Sequence, residues 1–65
     1  MNKFKIKELR KKMNLTVQEL SIKSGVAMSY VSTLENDKSG LTNPTMEIMI
    51  KISNALGCSP NEVFF

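Results

Sequence analysis

The pattern of apolar and polar positions between Thr16 and Asn36 predicts two short helices joined by a tight turn. Thr16 followed three residues later by Glu19 is a capping box, in which each side chain binds a backbone N–H group of the other residue. Gly25 ends the first helix, because a sharp exit needs a residue that tolerates positive φ. The residues that share one face of this helix at helical spacing are Val17, Leu20, Ser21 and Ser24.

The second helix of the pair separates apolar from small polar positions. Val26 is an apolar residue expected to pack beneath the turn. Val31 and Leu34, three residues apart, are expected to point inward. The opposite side carries Met28, Ser29, Ser32 and Thr33. Two helices of this length around a glycine turn are typical of the helix-turn-helix, whose second helix enters the major groove of DNA.

The residues before this pair predict a first helix over positions 2–13. Asn2 is its expected cap, and Phe4 is expected to close the end of the core. The apolar residues at helical spacing are Ile6, Leu9 and Met13.

Two further helices are predicted after a polar loop. Thr45 caps a helix that runs to Leu56 and ends at Gly57. Its expected core stripe is Met46, Met49, Ser53 and Leu56, and the residues that widen its apolar arc are Ile48, Ile50, Ile52 and Ala55. Ser59 and Glu62 form a second capping box for a helix over residues 60–65, whose Val63, Phe64 and Phe65 cannot all face inward from a single turn.

Composition limits the function more than it identifies it. The 65 residues have room for one small domain, over residues 1–65, and the core of such a domain is marginal. Cys58 is the single cysteine, which fits a reducing compartment such as the cytoplasm. With no histidine, neither a zinc site nor a Cys–His nucleophile can be assembled, so we expect no metal, no cofactor and no enzyme. No apolar run is long enough to span a membrane, and we find no signal peptide.

Charge is distributed unevenly. The net charge is +3, and residues 1–23 hold seven basic and two acidic side chains, whereas residues 24–65 hold two basic and four acidic ones. Taken alone, this distribution would be better explained by a solvated lysine face kept for solubility. Beside a helix-turn-helix, it favours one basic side that faces phosphate.

The ordered set of residues resembles the lambda-repressor-like (XRE, Cro/C1-type) helix-turn-helix regulators over nearly the whole chain. The residues that carry the likeness are Thr16, Glu19, Leu20, Gly25, Val26, Val31, Leu34, Glu35 and Asn36, with Ile6, Leu9 and Arg10 before them and residues 43–45, Ile52, residues 55–57 and 59–64 after them. The resemblance implies an all-α fold of five helices with the helix-turn-helix at helices 2 and 3. It also implies a cytoplasmic bacterial or phage transcriptional regulator that binds a palindromic operator as a homodimer. The expected mode of regulation is repression.

The resemblance also implies roles for particular residues. The base-reading positions of the family fall on Met28, Ser29, Ser32 and Thr33, although an ordinary wet face would look the same. Direct readout would be modest, because that face has no Arg for guanine and no Asn or Gln for adenine. The implied phosphate contacts are Thr16, Val17, Tyr30, Asn36, Lys38 and Thr42. Val17 stands where the family often has Gln, which removes one expected contact, and Tyr30 could instead cover the edge of the core.

Two structural roles follow from the same resemblance. Arg10 is implied to pair with Glu35, although both could be surface charges. Cys58 stands where the family usually has Val, so we interpret it as a small buried hydrophobe. Residues 39–41 look like extra loop material compared with the family.

A dimer interface is predicted from surplus apolar surface, because one helix-turn-helix covers only one half-site and the chain shows no second domain. The residues assigned to it are Ile48, Ile52, Val63, Phe64 and Phe65; alternatively, they merely seal a small core. A protein-interaction module of the same fold, such as an antitoxin or anti-repressor partner, remains the second functional class. A nonspecific RNA binder is disfavoured by the single Tyr and the lack of exposed aromatic pairs.

Overall fold

The computed structural model describes residues 4–37 and 42–65, and within these ranges it contains five helices and no strand. The helices are α1 (Ile6–Lys12), α2 (Val17–Ser24), α3 (Met28–Asn36), α4 (Met46–Leu56) and α5 (Pro60–Phe64). The all-α prediction is therefore confirmed, with α2 and α3 forming the pair around the glycine turn.

Local sequence signals set most of the helix ends. Thr16 Oγ1 accepts from the Glu19 N–H at 3.0 Å, and Glu19 Oε1 accepts from the Thr16 N–H at 2.8 Å, which is the predicted capping box. The Thr45 hydroxyl likewise accepts from the Ile48 N–H at 3.2 Å at the start of α4. Gly25 ends α2 with φ 75°, where a side chain would be strained.

The first helix is shorter than predicted. Phe4 and Lys5 form a bend rather than a helical turn, because the Lys5 N–H donates to the Val63 carbonyl at 2.9 Å and ties the chain to α5. Asn2, the expected cap, lies outside the described residues. At the other end Met13 is exposed rather than inward, since α1 stops at Lys12 and Asn14 reverses the chain with φ 57°.

A single apolar core lies between the helices. Its buried residues are Phe4, Ile6, Leu20, Val26, Val31, Leu34, Ile52, Ala55, Leu56, Val63 and Phe64. The rings of Phe4 and Phe64 meet edge to face with centroids 5.0 Å apart, so Phe4 closes the core as predicted. The chain ends of the fold are thus held by contacts between the first bend and α5.

The core-facing side of α4 differs from the predicted stripe. Met46 is 56% exposed, whereas Ile52 is completely buried together with Ser53. The prediction was wrong for Met46 because α4 is apolar over most of its circumference. Its rotation is therefore fixed by the helices that it packs against, α2 above all, and not by its own pattern.

The same burial corrects the predicted dimer interface. Ile52, Val63 and Phe64 have exposed fractions of 0%, 1% and 6%, so they have almost no surface to offer a partner. They seal the core of one chain, which was the alternative explanation. Phe65 is 80% exposed and Ile48 is partly buried against the core. For these two residues an interface role stays a prediction.

Ser53 is a polar group without a partner inside this core. Its Oγ is buried and makes no hydrogen bond to any described residue. An unpaired buried hydroxyl costs about 1–3 kcal/mol, so Ser53→Ala is expected to raise the free energy of unfolding by about 1 kcal/mol in urea denaturation. Ser21→Ala is the matched control and should lower it, because the Ser21 hydroxyl donates to the Val26 carbonyl at 2.6 Å. A loss of stability in Ser53→Ala would contradict this reading.

Candidate nucleic-acid interface

The turn between α2 and α3 is held by serine side chains as well as by glycine. The Gly25 N–H donates to the Ser21 carbonyl at 2.9 Å, and the Ser21 hydroxyl donates to the Val26 carbonyl at 2.6 Å. The Val26 N–H in turn donates to the Ser24 hydroxyl at 3.3 Å. These bonds fix the exit of α2 while Val26 is buried beneath the turn. Sequence reasoning placed both serines on a helix face and missed that they bind the turn.

The surface of α3 has the division that the sequence predicts. Val31 and Leu34 are fully buried, and Met28 is 51% exposed on the other side. Ser29 and Thr33 are exposed and Ser32 is half-buried, so the structure brings the four proposed base-reading residues to one side of the helix. This face carries no charged side chain, which makes close approach to base edges possible without a buried charge.

Hydrogen bonds within α3 restrict what its polar side chains offer. The Thr33 hydroxyl donates to the Ser29 carbonyl at 2.9 Å. The Asn36 side-chain amide donates to the Ser32 carbonyl at 2.9 Å and lies 3.3 Å from the Ser32 hydroxyl oxygen. The donors of Thr33 and Asn36 are therefore already used in hydrogen bonds within the helix. Asn36 has fewer hydrogen atoms left to donate to a phosphate than its amide group would otherwise offer.

The N-terminus of α2 offers backbone donors. The capping box uses the N–H groups of Thr16 and Glu19, and it leaves those of Val17 and Gln18 without an acceptor among the described residues. Val17 itself is packed partly against the core. Any phosphate contact at Val17 would therefore use its backbone N–H, at a helix end that favours anions.

The remaining residues predicted to contact phosphate differ in whether the structure leaves them available to do so. Tyr30 is half-buried and packs against the core, which agrees with its role as a cover of the core edge. The Thr42 N–H is already occupied, because it donates to Asp37 Oδ2 at 2.6 Å across the loop that follows α3. Lys38 and the extra loop residues 39–41 lie outside the described residues.

A buried ion pair anchors α3 to α1. Arg10 Nε lies 2.8 Å from Glu35 Oε2 and Arg10 Nη2 lies 3.0 Å from Glu35 Oε1, a bidentate contact, so the predicted pair is present. Arg10 Nη1 also donates to the Leu15 carbonyl at 2.7 Å, in the connection before α2. The hydrogen bond to Glu35, and then the attraction of its charge, raise the pKa of Arg10 although desolvation opposes them. The guanidinium thus stays charged and holds α1, α3 and the entry to α2 together.

Among the residues that the structure describes, no group of three or more His, Cys, Asp or Glu could hold a metal ion. Cys58 is half-buried against the core and its thiol donates to the Leu56 carbonyl over 3.5 Å, in keeping with a small hydrophobe. None of the described helices has the length and apolar character needed to cross a membrane.

Known proteins share this arrangement. The sequence model of the helix-turn-helix family matches residues 6–63. The HTH-type transcriptional regulator SinR of Bacillus subtilis (strain 168) is 38% identical over 55 residues, which cover 85% of this chain and 48% of SinR. The chain thus spans about half the length of this curated relative.

Solved structures agree with the sequence match. The solution structure of the N-terminal DNA-binding domain of SinR superposes with a TM-score of 0.82 at 34% identity, covering 100% of this chain and 91% of that one. The crystal structure of SinR in complex with DNA gives a TM-score of 0.78 at 38% identity, covering 88% of this chain and 87% of that one. With the glycine turn, the buried ion pair and the uncharged face of α3, these matches show that the chain belongs to the XRE, Cro/C1-type helix-turn-helix family of transcriptional regulators.

Proposed function

We propose that this protein is a sequence-specific repressor that binds a palindromic operator as a homodimer, with α3 in the major groove. The observation that carries the proposal is the exposed, uncharged side of α3, which lies opposite the fully buried Val31 and Leu34. The structure of SinR bound to DNA, at 38% identity, supports the same use of this fold. The setting that we propose is the cytoplasm.

Readout from each half-site is expected to be modest. Ser29, Ser32 and Thr33 carry short hydroxyl side chains, and Met28 can pack on thymine methyl groups. A bidentate contact from Arg to guanine or from Asn to adenine is worth about 1–3 kcal/mol of discrimination, and this face has neither. Specificity therefore depends on DNA shape and on the use of two half-sites.

Phosphate contacts orient the domain. The free N–H groups at the start of α2 are suited to one phosphate, since the helix dipole favours an anion there. Exposed lysines on α1, such as Lys11 and Lys12, add attraction at longer range. The family match supports a DNA-facing role for these lysines over a solvated lysine face.

A homodimer is proposed from the geometry of half-sites, since two copies are needed to cover a palindrome. Met46 and Ile50 lie four residues apart on α4 and are 56% and 43% exposed. Together with Ile48 and the 80% exposed Phe65, they replace the three buried residues in the predicted interface.

Selection of bound sequences from random duplex DNA, followed by a salt titration, tests this function. We expect an inverted repeat with half-site centres about 34 Å apart and an affinity that falls with salt. Ser29→Ala and Thr33→Ala should relax the sequence preference and leave the salt dependence unchanged, because neither removes a phosphate contact. Absence of any enriched sequence would contradict specific binding, and a single half-site would contradict the dimer.

A further inference from the structure

The hydroxyl of Thr33 is a hydrogen-bond donor within α3. Its hydrogen is donated to the Ser29 carbonyl one turn earlier, with an oxygen–oxygen distance of 2.9 Å, and the side chain is exposed. A hydroxyl has one hydrogen and two lone pairs. With the hydrogen used inside the helix, Thr33 can only accept a hydrogen bond from an external group.

Reversing this direction would be unfavourable. If the hydroxyl turned to donate to a ligand, the bond to the Ser29 carbonyl would be lost, and two oxygens would face each other at 2.9 Å without a hydrogen between them. A net hydrogen bond is worth about 0.5–1.5 kcal/mol, which corresponds to about 2–12-fold in an equilibrium constant. The preference for accepting therefore reaches the lower end of what one base position contributes.

Ser29 provides a contrast on the same face. Its side chain is exposed and its hydroxyl has no hydrogen-bond partner among the described residues. It can rotate to donate or to accept, so the helix does not fix the direction of the hydrogen bond that it makes to a base. Two neighbouring hydroxyls of α3 thus differ in what they can read.

We propose that Thr33 is a specificity-determining residue that selects an amino base over a keto base on one strand of each half-site. In the major groove adenine presents the N6 amino group and cytosine the N4 amino group, both donors, whereas guanine and thymine present carbonyl acceptors at that place. A Thr33 oxygen limited to accepting pairs with the first two and is repelled by the others. The inference rests on the proposed function, since it requires α3 to lie in the groove.

Parallel selections from random duplex DNA test it, using the wild-type chain, Thr33→Val and Ser29→Ala. Thr33→Val keeps the branched shape and removes the oxygen. The wild type should show one position per half-site at which A or C together exceed G and T several-fold. Thr33→Val should flatten that position alone, whereas Ser29→Ala should leave it intact. Thr33→Ser, which keeps the hydroxyl, should retain the preference, and thermal melting followed by circular dichroism confirms that each variant is folded.

A second measurement removes the amino group from the DNA. At that position adenine is replaced by purine, or cytosine by 2-pyrimidinone, each of which lacks the exocyclic amine. The wild type should lose affinity several-fold, and Thr33→Val should lose none. A G or T preference, or a profile that Thr33→Val leaves unchanged, overturns this inference alone. Failure of the wild type to enrich any sequence overturns the proposed function as well.

Discussion

Replacing Arg10 with methionine is expected to lower the free energy of unfolding by about 3–5 kcal/mol, because it leaves the Glu35 carboxylate buried without its partner. Glu35 is only 4% exposed and both its oxygens bind the guanidinium. The substitution also removes the bond to the Leu15 carbonyl. A domain of this size has about 3–10 kcal/mol of stability, so much of the population would unfold at moderate temperature.

Thermal and urea denaturation of Arg10→Met beside Lys11→Met measures this effect. Lys11 is exposed on the same helix, and its replacement should change stability by about 0.5 kcal/mol or less. The double variant Arg10→Met with Glu35→Leu should recover most of the loss, since no buried charge remains unpaired. Equal melting temperatures for the two single variants would refute the structural role of the pair. Because the hydrogen bond to Glu35 raises the pKa of Arg10 above an already high value, the guanidinium stays charged and its contribution to stability is present throughout neutral pH; that contribution would be lost as the pH rises through the pKa of Arg10.

Ile52→Ala is the second change with a large expected effect, a loss of about 2–5 kcal/mol, because it opens a cavity at a fully buried position. Ile22→Ala is the matched control on α2, where the side chain is 75% exposed. We expect the control to lose about 1 kcal/mol or less. Urea denaturation of both variants gives the comparison.

Ile52→Ala also tests whether Ile52 belongs to the core of one chain or to an interface between two chains. If Ile52 belongs to the core of one chain, the loss in Ile52→Ala is the same at low and high micromolar protein concentration. Sedimentation of that variant should also show the wild-type oligomeric state wherever it is folded. A variant that keeps the stability of the chain but no longer self-associates would contradict the burial of Ile52 and restore the interface prediction.

Helix ends were the part of the fold most accessible from sequence. The Thr16–Glu19 box and Gly25 act through bonds and dihedral angles of their own few residues, so spacing alone identifies them. The Arg10–Glu35 pair was different, because residues 25 apart in sequence are joined only by the fold. Its prediction came from the family resemblance.

The rotation of α4 and the start of α1 were not accessible from local pattern. When a helix is apolar around most of its circumference, its sequence does not specify which face packs against the core. In α4 the neighbouring helices bury Ile52 and leave Met46 exposed. The first helix was predicted from residue 2, with Asn2 as its cap, but the bond from the Lys5 N–H to the Val63 carbonyl draws Phe4 and Lys5 into a bend. Both features depend on contacts between distant segments.

For the candidate site, sequence placed the four proposed base-reading side chains on one face of the helix but could not assign the direction of their hydrogen bonds. Thr33 and Ser29 look equivalent in the printed sequence. The Thr33 side-chain rotamer lets its hydroxyl donate to the Ser29 carbonyl, which leaves Thr33 as an acceptor for DNA. Among the described residues the Ser29 hydroxyl makes no such bond, so it can either donate or accept.

Contact between the exposed side of α3 and the floor of the DNA groove can be measured directly by amide chemical-shift mapping of the ¹⁵N-labelled protein with its selected duplex. We expect the largest changes on Met28 to Thr33 and at the start of α2. On the exposed side of α4 we expect little change apart from residues that contact the second copy of the chain. A titration that saturates while Met28 to Thr33 stay undisturbed would contradict it.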